Sequence, residues 1–277
     1  MQKVGLIGCL IIALLSANEL ELKYVEELPQ EPLSENVPIN FGGTIEFESR
    51  YVWNGIDLSG GAVFQPSAWI AWKDFSLFLW TNMPLQNQMG LGGKIDEVDL
   101  GIEYNHLFEH LSFDIGFTYF VFPQTPKKEV MTPDSSVTLV PSLSYEASLA
   151  LGTRFKIANI SLPIYFNLVH GSLYLGPIVT IGYTFEGVLR PEVTAKLGIG
   201  GKNFNASQFG VGIVGKGSLN DFTTSLSLTS DFSGKLGNLL TIKGWVSYAV
   251  LLDDSVQSFV GDGYKNFWGG INFAFGF

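Results

Sequence analysis

From Ile39 to Phe277 apolar and polar residues alternate with a period of two. That is the spacing at which successive strand side chains point to opposite faces. Phe41, Ile45, Phe47, Tyr51 and Trp53 share one face of a first strand, opposite Thr44, Glu46, Glu48 and Arg50. Val98, Leu100, Ile102 and Tyr104 alternate with Glu97, Asp99, Glu103 and Asn105. Leu111, Phe113, Ile115, Phe117, Tyr119 and Val121 alternate with Ser112, Asp114, Gly116 and Thr118. The same pattern sets Leu143, Tyr145, Ala147, Leu149 and Leu151 against Ser144, Glu146, Ser148 and Arg154. Val193, Ala195, Leu197 and Ile199 oppose Thr194 and Lys196, and Leu226 and Leu228 oppose Ser225, Ser227 and Asp231. Runs of about ten such residues, separated by turn residues, predict an all-β fold: a transmembrane antiparallel β-barrel, apolar outside and polar inside.

The segment Asn266–Phe277 places Phe267, Ile271, Phe273, Phe275 and Phe277 on one face, with Trp268, Asn272 and small residues on the other. In a soluble protein so apolar a terminal strand is an aggregation hazard. In an outer-membrane barrel it closes the sheet, with its apolar face in lipid. Phe273, Phe275 and Phe277 then resemble the aromatic signal read by the outer-membrane insertion machinery.

The connections predict which end is which. Trp72–Phe75, Phe108–His110 and Lys156–Asn159 read as tight turns, whereas Asn54–Gly61, Pro84–Lys94, Pro123–Ser136 and Leu252–Lys265 read as longer loops. Barrels with both termini in the periplasm alternate short inner turns with long outer loops. A direct count gives about thirteen strands, whereas bacterial single-chain barrels have even numbers. Twelve is the prediction and fourteen the alternative. The doubtful segments are Ile160–Leu168, which contains Pro163, and Leu173–Phe185, which contains Pro177.

Composition agrees with this picture. Glycine (32 residues) and aromatics (14%) are abundant, charged residues make up 15%, and mean hydropathy is +0.25. No apolar run reaches the roughly 18 residues of a membrane helix. Residues 1–17 read as a signal peptide, with Lys3, an apolar stretch and Ser16-Ala17 before cleavage. Leu6-Ile7-Gly8-Cys9 also fits a lipobox, but the apolar run before it is too short and continues past it. Residues 18–38 carry six glutamates against Lys23 alone, a composition that cannot bury a core and reads as a flexible periplasmic leader. The formal charge of −10 argues against nucleic acid as a partner.

Candidate chemistry is sparse. His106 and His110 have the i, i+4 spacing of a helical metal site, but they flank a predicted hairpin turn and read as solvated. No Gly-x-Ser-x-Gly elbow occurs, and Gly198, Gly200 and Gly201 belong to a β pattern and not to a phosphate loop. The sequence thus predicts no enzyme, no cofactor and no metal. The informative residues are charges on polar faces: Glu46, Glu48, Glu97, Asp99, Glu103, Asp114, Glu146, Glu186, Glu192 and Asp231 against Arg50, Arg154, Arg190, Lys196, Lys216 and Lys243. The acids cluster in the first half of the barrel and most bases lie in the second. This predicts opposed walls, with the excess acid favouring cations. The opposing possibility is a filled interior in which these groups pair and little is conducted, since about twelve strands leave little width.

Arg50-Tyr51-Val52-Trp53-Asn54-Gly55-Ile56-Asp57-Leu58-Ser59, followed by Phe64-Gln65-Pro66, resembles the opening strand and loop of the TorF-type porin family of bacterial outer-membrane barrels. Glu97–Tyr104, Asp114–Tyr119 and the aromatic terminus look similar too, so the resemblance spans Ile39–Phe277, although Asn54 stands where that family has arginine. The resemblance implies a pore without catalytic residues. The expected function is a passive outer-membrane channel of a Gram-negative bacterium for small polar solutes or ions. Its weak cation preference would be set by Glu46, Glu48, Arg50, Glu97, Asp99, Glu103 and Asp114. The alternative is a non-conducting barrel acting through its outer loops as an adhesin or anchor. Expected partners are the lipid bilayer, the insertion machinery and the solutes; oligomeric state is left open.

Overall fold

The computed structural model of the chain describes residues 39–277 apart from 88–89, 125–128, 132–136, 140–142, 156, 186–187, 210–215 and 234–238. The predicted signal peptide (1–17, including Cys9), the acidic leader (18–38), Glu186 and Lys156 lie outside the described residues.

Twelve strands form the wall: β1 (Asn40–Glu48), β2 (Val63–Trp72), β3 (Phe75–Pro84), β4 (Glu97–Leu107), β5 (Leu111–Val121) and β6 (Leu143–Arg154) come first. β7 (Ala158–Asn167), β8 (Ser172–Leu175 continued by Ile178–Gly182), β9 (Leu189–Gly200), β10 (Ser218–Asp231), β11 (Leu239–Leu251) and β12 (Lys265–Gly276) complete it. Each strand pairs antiparallel with its sequence neighbours, and β12 returns to β1 with Ile45 opposite Phe273 and Glu46 opposite Asn272. Closure leaves the apolar terminal strand with a partner on both sides and no free edge.

The two proline-bearing segments resolve the count. Pro163 sits inside an unbroken β7, opposite Ala150, and its carbonyl accepts the Gly176 N–H at 3.0 Å. Gly176-Pro177 interrupts β8 instead, because proline has no N–H for the ladder. The half before the break pairs with Ile164–Asn167, and the half after it pairs with Ala158–Ser161.

Paired residues share a face, so the register fixes which side chains point inward. Outward positions are apolar and exposed: Phe41, Ile45, Leu77, Leu79, Leu100, Ile102, Ile115, Phe117, Val193, Leu226 and Leu228, with Phe267 at 66%. Buried positions are largely polar, among them Gln65, Asn82, Glu97, Ser172, Asn205, Asn220, Asp221 and Asn266. This is the inverse of a water-soluble protein, which rarely exposes a contiguous apolar surface of this extent. The period-two expectation for Phe113, Ile115 and Phe117 outside and Asp114 and Thr118 inside agrees with the pairing of β5.

The barrel ends differ. Short connections such as 73–74 and 108–110 lie at one end, where Phe41 and Phe277 exchange backbone hydrogen bonds of 3.1 and 2.8 Å. The connections from β1 to β2, β3 to β4, β5 to β6, β7 to β8, β9 to β10 and β11 to β12 lie at the other end. Among the described residues two of these carry α-helices, α1 (Lys202–Phe209) and α2 (Asp254–Val260), the latter capped by the Asp253 carboxylate on the N–H groups of Ser255 (2.9 Å) and Val256 (3.2 Å). The Gly198–Gly201 stretch, read from sequence as part of a β pattern, ends β9 and leads into α1.

Candidate functional site

The interior wall separates into an acid-bearing sector and a mixed one. On β4 to β6, Glu97, Asp99, Glu103, Asp114 and Glu146 all point inward, with Asp114 opposite Asn105, Glu103 opposite Gly116 and Glu146 opposite Thr118. Glu46 and Glu48 also point inward on β1. Two strands separate them from β4, and amides occupy the gap. Gln65 Nε2 donates to Asn82 Oδ1 at 2.9 Å, and Asn82 Nδ2 donates to Asp96 Oδ1 at 2.8 Å. Burial raises the Asp96 carboxyl above its ordinary range, against the effect of that hydrogen bond.

Three basic residues stand elsewhere than the sequence pattern implied. Arg50 lies beyond the end of β1 with its side chain 46% exposed, and its Nη1 reaches Asp57 Oδ2 at 3.2 Å. A strand ending at Glu48 cannot carry Arg50 onto the wall. Lys216 is exposed in the connection after α1, off the barrel strands. Lys243 is inward but stands beside the acids: it is opposite Asn272, which is opposite Glu46 and donates to Glu46 Oε2 at 2.7 Å. Barrel closure makes the late β11 a near neighbour of β1, so the expected separation of acidic and basic walls is only partial. Arg190 Nε lies 3.4 Å from Glu192 on its own strand, and Arg154 Nε donates to Asn159 at 3.1 Å near the short-turn end.

Asn54–Gly61, expected to be an outer loop, belongs to the connection 49–62, which folds into the barrel. Val52–Trp53 pairs with Ile56–Asp57 around Asn54 (φ 47°) and Gly55 (φ 82°). Positive φ at both central residues is the geometry for which Asn-Gly is the preferred two-residue hairpin turn. The tip docks on the far wall: Lys196 Nζ of β9 donates to Asn54 Oδ1 at 2.7 Å, and Asn266 Nδ2 of β12 donates to the Gly55 carbonyl at 2.9 Å. A β-carbon at Gly55 would sit 2.9 Å from both Asp221 and Leu251, so only glycine permits this approach. Beneath the tip, Lys196 lies 4.9 Å over the Tyr174 ring, and the Tyr174 hydroxyl donates to the fully buried Asp221 at 2.7 Å. Trp53 meets Phe204 of α1 at 6.0 Å, and Ile56 packs on the Leu251–Val256 cluster.

The same segment touches the opposite side. Tyr51 lies 5.6 Å from the Trp80 ring of β3, and its phenol is pushed up by burial and by the facing Glu97 and Asp99. β4 and β9 are five strands apart in a ring of twelve, so residues 51–54 bridge the barrel from wall to wall. Two cavities border the acid-bearing sector, one of about 430 Å³ along β2–β4 and one of about 370 Å³ along β4–β7. Among the described residues no group of three His, Cys, Asp or Glu side chains is placed to hold a metal, and His106 Nδ1 lies 2.8 Å from Asp74 Oδ2.

No protein-family model matches the sequence, and no curated protein matches it. Among solved structures, the KdgM porin is 10% identical, with 86% of this chain and 99% of that chain covered and a TM-score of 0.48. The NanC porin is 9% identical over 84% of this chain and 98% of that one, with a TM-score of 0.46. An outer membrane channel from Pseudomonas putida F1 is 10% identical over 90% of this chain and 99% of that one, also at 0.46. Likeness at this level transfers no residue role, and the barrel architecture stands on the chain's own strand pairing.

Proposed function

We propose that the protein is an outer-membrane barrel of a Gram-negative bacterium acting as a passive, weakly cation-preferring channel for small polar solutes or ions. The observation that carries this reading is the inside-out distribution of side chains. Exposed leucine, isoleucine, valine and phenylalanine belong in lipid, and carboxylates pointing into a barrel need water or a cation. Short connections with Phe41 and Phe277 at one end support periplasmic termini. In this reading residues 1–17 direct export, the mature chain begins near Asn18 with a flexible leader, and Phe273, Phe275 and Phe277 serve the insertion machinery. The TorF-type resemblance of residues 50–66 agrees with a pore and assigns no solute.

Glu46, Glu48, Glu97, Asp99, Glu103 and Asp114 are the groups proposed to set selectivity; Arg50, paired with Asp57, acts at the mouth. The test is the reversal potential of the purified barrel in a planar bilayer under a salt gradient. A cation-preferring current that loses preference as salt rises supports the proposal, because surface carboxylates act within a Debye length of roughly 8 Å at physiological salt. Anion preference would contradict it. The docked hairpin favours a second reading, a barrel that conducts nothing and works through its outer loops as an adhesin or anchor; complete absence of current selects that reading.

A further inference from the structure

Trp69 of β2 and Phe78 of β3 stand opposite each other and both face inward. Each lies on a glycine. A β-carbon on Gly42 of β1 would come 2.6 Å from the Trp69 indole, one on Gly276 of β12 would come 3.2 Å from it, and one on Gly101 of β4 would collide with the Phe78 ring. Glycine lets a ring lie flat against the wall, so one ring face rests on backbone and the other looks into the interior. The 430 Å³ cavity opens on those faces, and Trp80 extends the patch. The register brackets the rings with carboxylates: Trp80 is opposite Asp99 on the side toward the long connections, and Ser76 is opposite Glu103 on the side toward the short turns. The second cavity shares Glu103 and adds Asp114, and among the described residues no lysine, arginine or histidine lines either cavity.

We infer that this patch is a binding subsite for small organic cations, meaning amines or quaternary ammonium ions bearing alkyl groups. The inference deepens the channel reading and rests on it. Carboxylates drawn into a narrow cavity without a base are costly unless a cation joins them. Aromatic faces attract a cation held within about 6 Å of the ring centre. An inorganic ion satisfies the carboxylates but leaves the flat apolar area unused. A neutral sugar covers the rings but leaves Asp99 and Glu103 uncompensated. An alkylammonium ion meets both demands, and Arg50 and Lys196 do not compete because they are held by Asp57 and Asn54.

The test is isothermal titration of the folded barrel in detergent micelles with tetraethylammonium chloride, compared with sodium chloride at equal ionic strength and with glucose. The expected result is saturable tetraethylammonium binding, weakened roughly fivefold by Trp69→Leu, the loss of one ring's cation attraction. Asp99→Asn with Glu103→Gln should weaken it roughly tenfold or more by removing both charges, and circular dichroism reports whether each variant is folded. The double amide variant leaves the glycine-seated rings in place, so it tests the site even if Trp69→Leu fails to assemble. No saturable binding, equally tight glucose binding, or an unchanged double variant would overturn the inference. The titration needs no current: binding without conductance sinks the channel reading and keeps the subsite, whereas conductance without binding does the reverse.

Discussion

Two sectors of the same wall meet different interiors. From β2 to β6 the inward faces carry Trp69, Phe78, Trp80, Asp99, Glu103, Asp114 and Glu146 and border cavities of about 430 and 370 Å³. From β8 to β12 they carry Tyr174, Lys196, Asp221, Leu251 and Asn266, and the hairpin around Asn54-Gly55 lies against them. Both sectors share the period-two pattern. Periodicity decides which side chains point inward, and a connecting segment decides whether those side chains meet water or protein.

The largest effect tests what the sectors have in common. Ile115 of β5 and Val193 of β9 face outward with exposures of 48% and 51%. Arginine at either position should cost roughly 2–4 kcal/mol near the bilayer midplane, measured by urea unfolding in lipid vesicles. Tolerance in one sector alone would mean that its register is misassigned.

The next perturbation removes the difference between them. Gly55→Val puts a branched side chain at φ 82° against Asp221 and Leu251, and strain of this kind costs roughly 1–3 kcal/mol. The hairpin should undock, and single-channel current should rise and become noisier. An unchanged current would mean that the tip does not narrow the path.

Smaller changes should follow in selectivity. Changing Glu97, Asp99 and Glu103 to their amides should reduce cation preference in the reversal potential, whereas Lys243→Met, beside Asn272 and Glu46, should increase it. A finer check is labelling: cysteine at position 114 should react with a small aqueous thiol reagent and cysteine at 115 should not, with the reverse pattern placing β5 one residue out of register.

Most of the wall was legible because lipid imposes alternation residue by residue. Phe113 to Val121 could be assigned without knowing any partner strand. The β8 break was legible as an ambiguity, since Pro163 and Pro177 look alike in sequence and only the neighbouring strands decide which one interrupts a ladder. The hairpin was half legible. Asn54-Gly55 announces a tight turn, but its docking depends on Lys196 and Asn266, which lie 142 and 211 residues away. Lys243 carries the same lesson, because distance along the chain does not measure distance around a closed ring. Alternation alone extends to Arg50, two residues past the end of β1, but the chain has already left the wall there and Arg50 pairs with Asp57.

The central claim is that a water path runs through the acid-bearing sector and that residues 52–57 narrow it. The direct measurement is single-channel recording of the natural chain beside a variant in which those residues are replaced by a glycine–serine linker. The account predicts a small, cation-preferring current in the first and a clearly larger one in the second; silence from both, with each barrel folded in the bilayer, would contradict it.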